Sequence, residues 1–202
     1  ERSRGLGDVY KRQTNDPVLA QKEKDLLILT EGYPTYGGLA GRDLEAMAVG
    51  FEEVLNEDYL KYRLAEVRFL GEHLQQIGFH TIQPPGGHAV YIDARTTLDH
   101  IPQKQYPGHA LAVECYKSRG VRTCEIGSVM FGRWDPETKQ EIPSNMELLR
   151  MALPRRTHTQ SHIDYVLEVA KEVLERKKKI RALKITHQPS FLRHFTAGFE
   201  PL

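Results

Sequence analysis

An α/β domain is what this 202-residue sequence predicts, on three observations. Stretches with helical hydrophobic spacing alternate with short apolar runs of strand length, and the last such run lies near the C-terminus. One of the short runs, residues 148–153, is apolar at five of its six positions and is stopped by Pro154. Its sixth residue is Arg150, which in strand geometry shares a face with Leu148 and Ala152 while Leu149, Met151 and Leu153 share the other. A guanidinium keeps its charge, so in such a run it requires an anion. That anion is either an internal carboxylate or the carboxylate of a bound molecule held by a two-pronged clamp.

Composition narrows the class. A net charge of +1 favours neither nucleic acid nor an anionic membrane as partner. No apolar run approaches membrane-spanning length and no secretory pattern opens the chain, which predicts a cytoplasmic protein. Cys115 and Cys124 fit reduced residues of a cytosolic core.

In order, residues 1–13 show no period and read as a tail foreign to the domain. Leu26-Leu27-Ile28-Leu29 reads as a strand running into a turn-rich loop, residues 30–38, with Tyr33 and Tyr36 among flexible glycines. Residues 42–55 form a helix with Leu44, Met47, Ala48, Phe51 and Leu55 on one stripe. A longer helix over 59–77 turns Leu60, Leu64, Val67, Leu70, Leu74 and Ile77 inward and ends at Gly78. Residues 79–82 and 88–93 are strands joined by a Pro-Pro-Gly-Gly turn, with His88 a structural residue at a strand start. Residues 106–119 form a helix built on Ala110, Leu111, Val113, Cys115 and Tyr116. The strand 121–127 continues towards Val129-Met130-Phe131, and its Glu125 is a candidate partner for Arg150.

Residues 134–144 form an exposed hairpin or loop before the Arg150 strand. Ser161-His162-Ile163-Asp164 has the outline of a capping box opening a helix to about 179, whose basic end complements the helix dipole. His158 precedes that cap, so its i, i+4 spacing to His162 does not make a metal pair. A strand over 182–186 and an aromatic segment over 191–197 complete the chain. There is no glycine-rich phosphate loop, CxxC pair or HExxH, and the residues alone leave both an enzyme and a non-catalytic binding or assembly domain open.

Four segments carry a closer likeness: Glu31-Gly32-Tyr33-Pro34-Thr35-Tyr36-Gly37-Gly38-Leu39-Ala40-Gly41-Arg42-Asp43, Gly86-Gly87-His88-Ala89-Val90, Leu149-Arg150-Met151-Ala152-Leu153-Pro154-Arg155-Arg156 and Leu192-Arg193-His194-Phe195-Thr196-Ala197. In these the chain, from about residue 14 to 202, resembles the tryptophanase and tyrosine phenol-lyase family. That resemblance implies the C-terminal part of a fold type I (aspartate-aminotransferase-like) enzyme dependent on pyridoxal phosphate. Residues 14–57 would be the end of the large, cofactor-binding domain with its connecting helix, and 58–202 the small α+β domain.

By the same resemblance Arg150 binds the carboxylate of an amino-acid substrate, Ile126 and Phe195 meet its aromatic ring, His194 is catalytic, and Tyr36 is placed at the cofactor. Where tyrosine-cleaving members carry arginine and phenylalanine, this chain has Ile126 and His194, which implies cleavage of tryptophan to indole, pyruvate and ammonia. By the resemblance the family's Schiff-base lysine motif would fall within the first few residues, where residues 1–13 do not continue the family pattern, and the phosphate loop and the potassium site belong to sequence upstream. The resemblance therefore implies a fragment inactive by itself, from a homo-oligomeric parent, a tetramer.

Overall fold

Strand β5 (Leu148–Ala152) is the middle of a three-stranded sheet of order β1-β5-β2, with β1 (Ala89–Asp93) and β2 (Cys124–Ile126) antiparallel on its two sides. The structure is a computed structural model that describes residues 14–31, 40–138, 140–189 and 192–202. The chain divides into two compact units, Glu1–Asn56 and Glu57–Leu202.

In the first unit, α1 (Pro17–Glu31) and α2 (Gly41–Glu53) are the described elements. The strand expected at Leu26-Leu27-Ile28-Leu29 is instead the C-terminal half of α1, with all four side chains exposed. Helix wins because Asp16 caps the start. Its Oδ1 accepts from Val18 N at 2.9 Å and Leu19 N at 3.3 Å, with Pro17 at the first helical position. Between them Ala20, Gln21, Lys22, Glu23 and Lys24 are strong helix formers. The stripe on α2 is helical as expected, but no residue of α2 is buried.

The second unit is built on the sheet. Alternation along its strands puts Val90, Ile92, Leu149 and Met151 on one face, all buried. Helices α3 (Glu57–Ile77) and α5 (Pro107–Arg119) lie against the sheet, and α7 (Gln160–Glu175) packs on both helices. Val67, Leu70 and Leu74 of α3, Leu111 and Cys115 of α5, and Val169 and Val173 of α7 close one core with that face. Leu60 and Leu64, expected inward, are exposed; α3 makes its core contacts only from Arg63 onward. Tyr116 is likewise exposed, because the buried side of α5 runs through Gly108, Leu111 and Cys115. Arg63 is buried: its Nη2 donates to the carbonyls of Leu153 and, at 3.5 Å, of His88, tying α3 to one end of β5 and β1. Gly78, at φ 114°, closes α3 as expected.

Three other elements depart from the sequence reading. Residues 79–82 contribute a single bridge, Thr81 to Ile92, because Pro84 and Pro85 have no N–H with which to extend a ladder. The box at the start of α7 is formed by Thr159 and His162, two residues before the expected one, with Thr159 N donating to His162 Nδ1 at 3.1 Å. That helix ends at Glu175, and residues Lys177–Lys179 make a three-ten turn. Beyond it, β6 (Leu183–His187) pairs antiparallel with β7 (Gly198–Pro201), and α8 (Arg193–Thr196) lies between them in sequence. The hairpin expected over 134–144 is present as β3 (Arg133–Trp134) and β4 (Glu141–Ile142). Both cysteines are free. Among the described residues no helix is long and apolar enough to cross a membrane.

Candidate substrate site and its family

The sheet's second face carries Arg150. Register sets Tyr91, Arg150 and Cys124 side by side in one row and Asp93, Leu148 and Ile126 in the next, all six on the face opposite the helical core. Tyr91, Arg150 and Cys124 are half-buried there, while Ile126 is buried.

Among the described residues Arg150 has no internal anion. Glu125, its expected partner, pairs with Leu149 and so points to the other face; strand parity sets Cys124 against Arg150 instead. Asp93, the other carboxylate adjacent by register, is committed to the start of α4 (Ala94–Thr97), accepting from Arg95 N at 3.0 Å and Thr96 N at 3.2 Å. Among the described residues Arg150 forms no ion pair, and its Nε is buried without a hydrogen-bond partner. A guanidinium in that condition is completed by an anion from outside.

After Ile126 the chain was expected to continue as a strand through Val129-Met130-Phe131. It turns instead into a one-turn helix, α6 (Ser128–Phe131), because two buried carboxylates cover its first N–H groups. Glu125 accepts from Val129 N and Met130 N, each at 3.1 Å. Glu147 Oε1 accepts from Ser128 N at 2.7 Å, from the Ser128 hydroxyl and from Gln103 Nε2 at 3.4 Å. Burial, and then the neighbouring Glu147 charge, push Glu125 up to about 7; burial raises Glu147 as well.

His194 and Phe195 sit on α8, which packs against α6. Their rings are 3.9 Å apart between centroids, and Phe195 is 73% exposed. Arg193, immediately before them, bonds to the carbonyls of Ser128 and Val129 on α6. Ile126 and Arg150 thus share a sheet face, and the helix that carries His194 and Phe195 packs on α6, which begins two residues after Ile126. Tyr36 lies outside the described residues. Sequence reading missed Glu147 and Arg193. The first stands at the head of the very run that drew attention to Arg150, and the second is inside the C-terminal motif.

Comparison with known proteins places this architecture. The model of the beta-eliminating lyases matches residues 45–169.

The chain belongs to the beta-eliminating lyase family.

It is 54% identical over 187 residues to a tryptophanase of Salinibacter ruber, a match covering 93% of this chain and 39% of the relative. It is 51% identical to a tryptophanase of Hyphomonas neptunium and 45% identical to a tyrosine phenol-lyase of Symbiobacterium, each covering 93% of this chain and 41% of the relative. The chain therefore spans about two-fifths of the length of these lyases. Members of the family are fold type I enzymes that depend on pyridoxal phosphate. The described residues do not by themselves fit that cofactor. Among the described residues no lysine is buried and none lies in the Arg150 or Ile126 rows, so none is desolvated there as a Schiff-base amine requires.

Proposed function

We propose that this chain supplies the substrate-recognition part of a pyridoxal-phosphate lyase that cleaves tryptophan to indole, pyruvate and ammonia. The observation that carries the reading is Arg150, whose buried Nε has no partner and which lies on the same sheet face as Ile126. A two-pronged guanidinium holds the substrate carboxylate and so fixes which Cα bond faces the reacting centre. Ile126 forms an apolar wall against the substrate's ring, and Phe195 adds an aromatic edge. Among the described residues no hydrogen bond occupies His194, and imidazole is the side chain that gives and takes protons near neutral pH, so it serves the proton exchange of the departing ring.

A tyrosine ring in the same place would bring its hydroxyl against Ile126 with no charged partner, at a cost of roughly 1–3 kcal/mol. The parent enzyme is a homo-oligomer in this reading, and the described residues contribute recognition of the amino acid, no described lysine being buried as a covalent cofactor link requires.

The test is kcat/KM for tryptophan and tyrosine in a full-length enzyme carrying this sequence, with pyruvate as common product. Tryptophan should be favoured by roughly ten-fold or more, each 1.4 kcal/mol being ten-fold. Ile126→Arg should reduce tryptophan cleavage more than it improves tyrosine cleavage, since one substitution does not rebuild a site. Equal specificity constants in the unaltered enzyme would overturn the tryptophan reading.

A further inference from the structure

His194 and Phe195 sit on a four-residue helix, too short to hold its own shape or direction. Its N-cap, Leu192, makes no side-chain cap. What fixes it is Arg193. Nε donates to the Val129 carbonyl at 2.9 Å, Nη1 to Gln188 Oε1 at 3.2 Å, and Nη2 to both the Ser128 carbonyl and Glu141 Oε1. The ion pair with Glu141 is nearly closed to solvent, the two side chains being 13% and 11% exposed. Glu141 is in turn oriented by the Tyr106 hydroxyl, which donates to its other oxygen. Space for the guanidinium is reserved at Gly132, where a Cβ would fall 2.5 Å from Nη2 and 2.8 Å from Glu141 Oε1.

The two carbonyls that Arg193 grips belong to α6, the turn that leaves Ile126. One side chain therefore spans the two segments that carry the ring-recognition residues of the proposed function. We propose that Arg193, oriented by Glu141, is the positioning residue that sets His194 and Phe195 against Ile126 and so determines the enzyme's acceptance of an aromatic leaving group. This rests on the reading of Ile126, His194 and Phe195 as the ring site. Arg193 is not a catalytic residue; it acts through its neighbours.

The experiment compares two amino acids in the full-length enzyme. Tryptophan needs the ring site, whereas β-chloroalanine has the same carboxylate and the same pyruvate product but loses chloride with no ring to place or protonate. Arg193→Ala should lower kcat/KM for tryptophan at least ten-fold while β-chloroalanine changes less than two-fold. Arg193→Lys should restore part of the loss, and Glu141→Gln, which leaves the carbonyl bonds in place, should show a smaller loss with the same selectivity. Hydrogen exchange supplies a readout independent of turnover: Arg193→Ala should accelerate exchange over residues 193–199 and leave the amides of β1, β5 and β2 unchanged.

An equal fall for both substrates, in Arg193→Ala or Glu141→Gln, would mean a merely structural tie, and no fall for tryptophan would mean no role; either overturns the inference. If instead the unaltered enzyme does not prefer tryptophan to tyrosine, the proposed function fails first and this inference falls with it.

Discussion

The carboxylates of Glu125 and Glu147 converge on Gly127, each bringing an oxygen to 2.6 Å from the point where a side chain on that residue would begin. Both are buried, and neither is ion-paired to a described cation. They are held there by the N–H groups at the start of α6, which need acceptors and find them in side chains from two different segments.

Gly127→Ala should therefore destabilise the protein. A methyl group must displace two buried carboxylates bonded to backbone, an overpacking cost of about 1–3 kcal/mol. Urea denaturation of the variant checks this, and an unchanged midpoint would contradict it.

The same pair sets a pH dependence. Glu125 is pushed up to about 7 in the folded chain, so between its ordinary range and 7 the folded state binds more protons than the unfolded one. Its contribution to stability is thus fully present below about pH 4.5 and is lost as pH rises through 7, by about 3 kcal/mol at most. Stability measured in urea from pH 5 to pH 8 should fall along that course, and Glu125→Gln should flatten the slope.

Arg150→Met should change folding stability by less than about 1 kcal/mol. An Arg in an internal ion pair would cost about 3–5 kcal/mol on removal, because its carboxylate is left behind; Arg150 leaves none. In the full-length enzyme the same change should weaken the amino-acid substrate by a few kcal/mol. A large loss of stability with unchanged substrate affinity would reverse the assignment.

Arg63 gives the opposite expectation. It is 6% exposed and bonded to carbonyls at the ends of β5 and β1, so Arg63→Ala should cost about 2–4 kcal/mol in a denaturation experiment, whatever the substrate.

These residues also show what the sequence could disclose. Strand alternation correctly put Leu149 and Met151 on the face opposite Arg150, because a period of two is fixed by backbone geometry. It could equally have excluded Glu125 as the partner of Arg150, had the register of β2 been known; register is a long-range property and was not legible. Asp16-Pro17 signals the start of α1, and the four consecutive apolar residues that suggest a strand lie exposed within it, so hydrophobicity alone does not make a strand. Helix α6 was illegible for another reason. Ser-Val-Met-Phe has no strong helical preference, and the carboxylates that turn it into a helix come from residues 125 and 147. Arg193 lies within the C-terminal motif, but the carbonyls it bonds stand some sixty residues earlier in the chain.

The place of β5 also governs how the protein is made. Synthesis delivers β1 first and β2 some thirty residues later, and the strand that separates them only after that. In the native order β1 and β2 do not pair with each other, so neither can complete its ladder until residues 148–152 arrive. A nascent chain paused before that point would carry two open strand edges, a surface suited to a chaperone. In chain order the sheet is completed last, by the strand that carries Arg150.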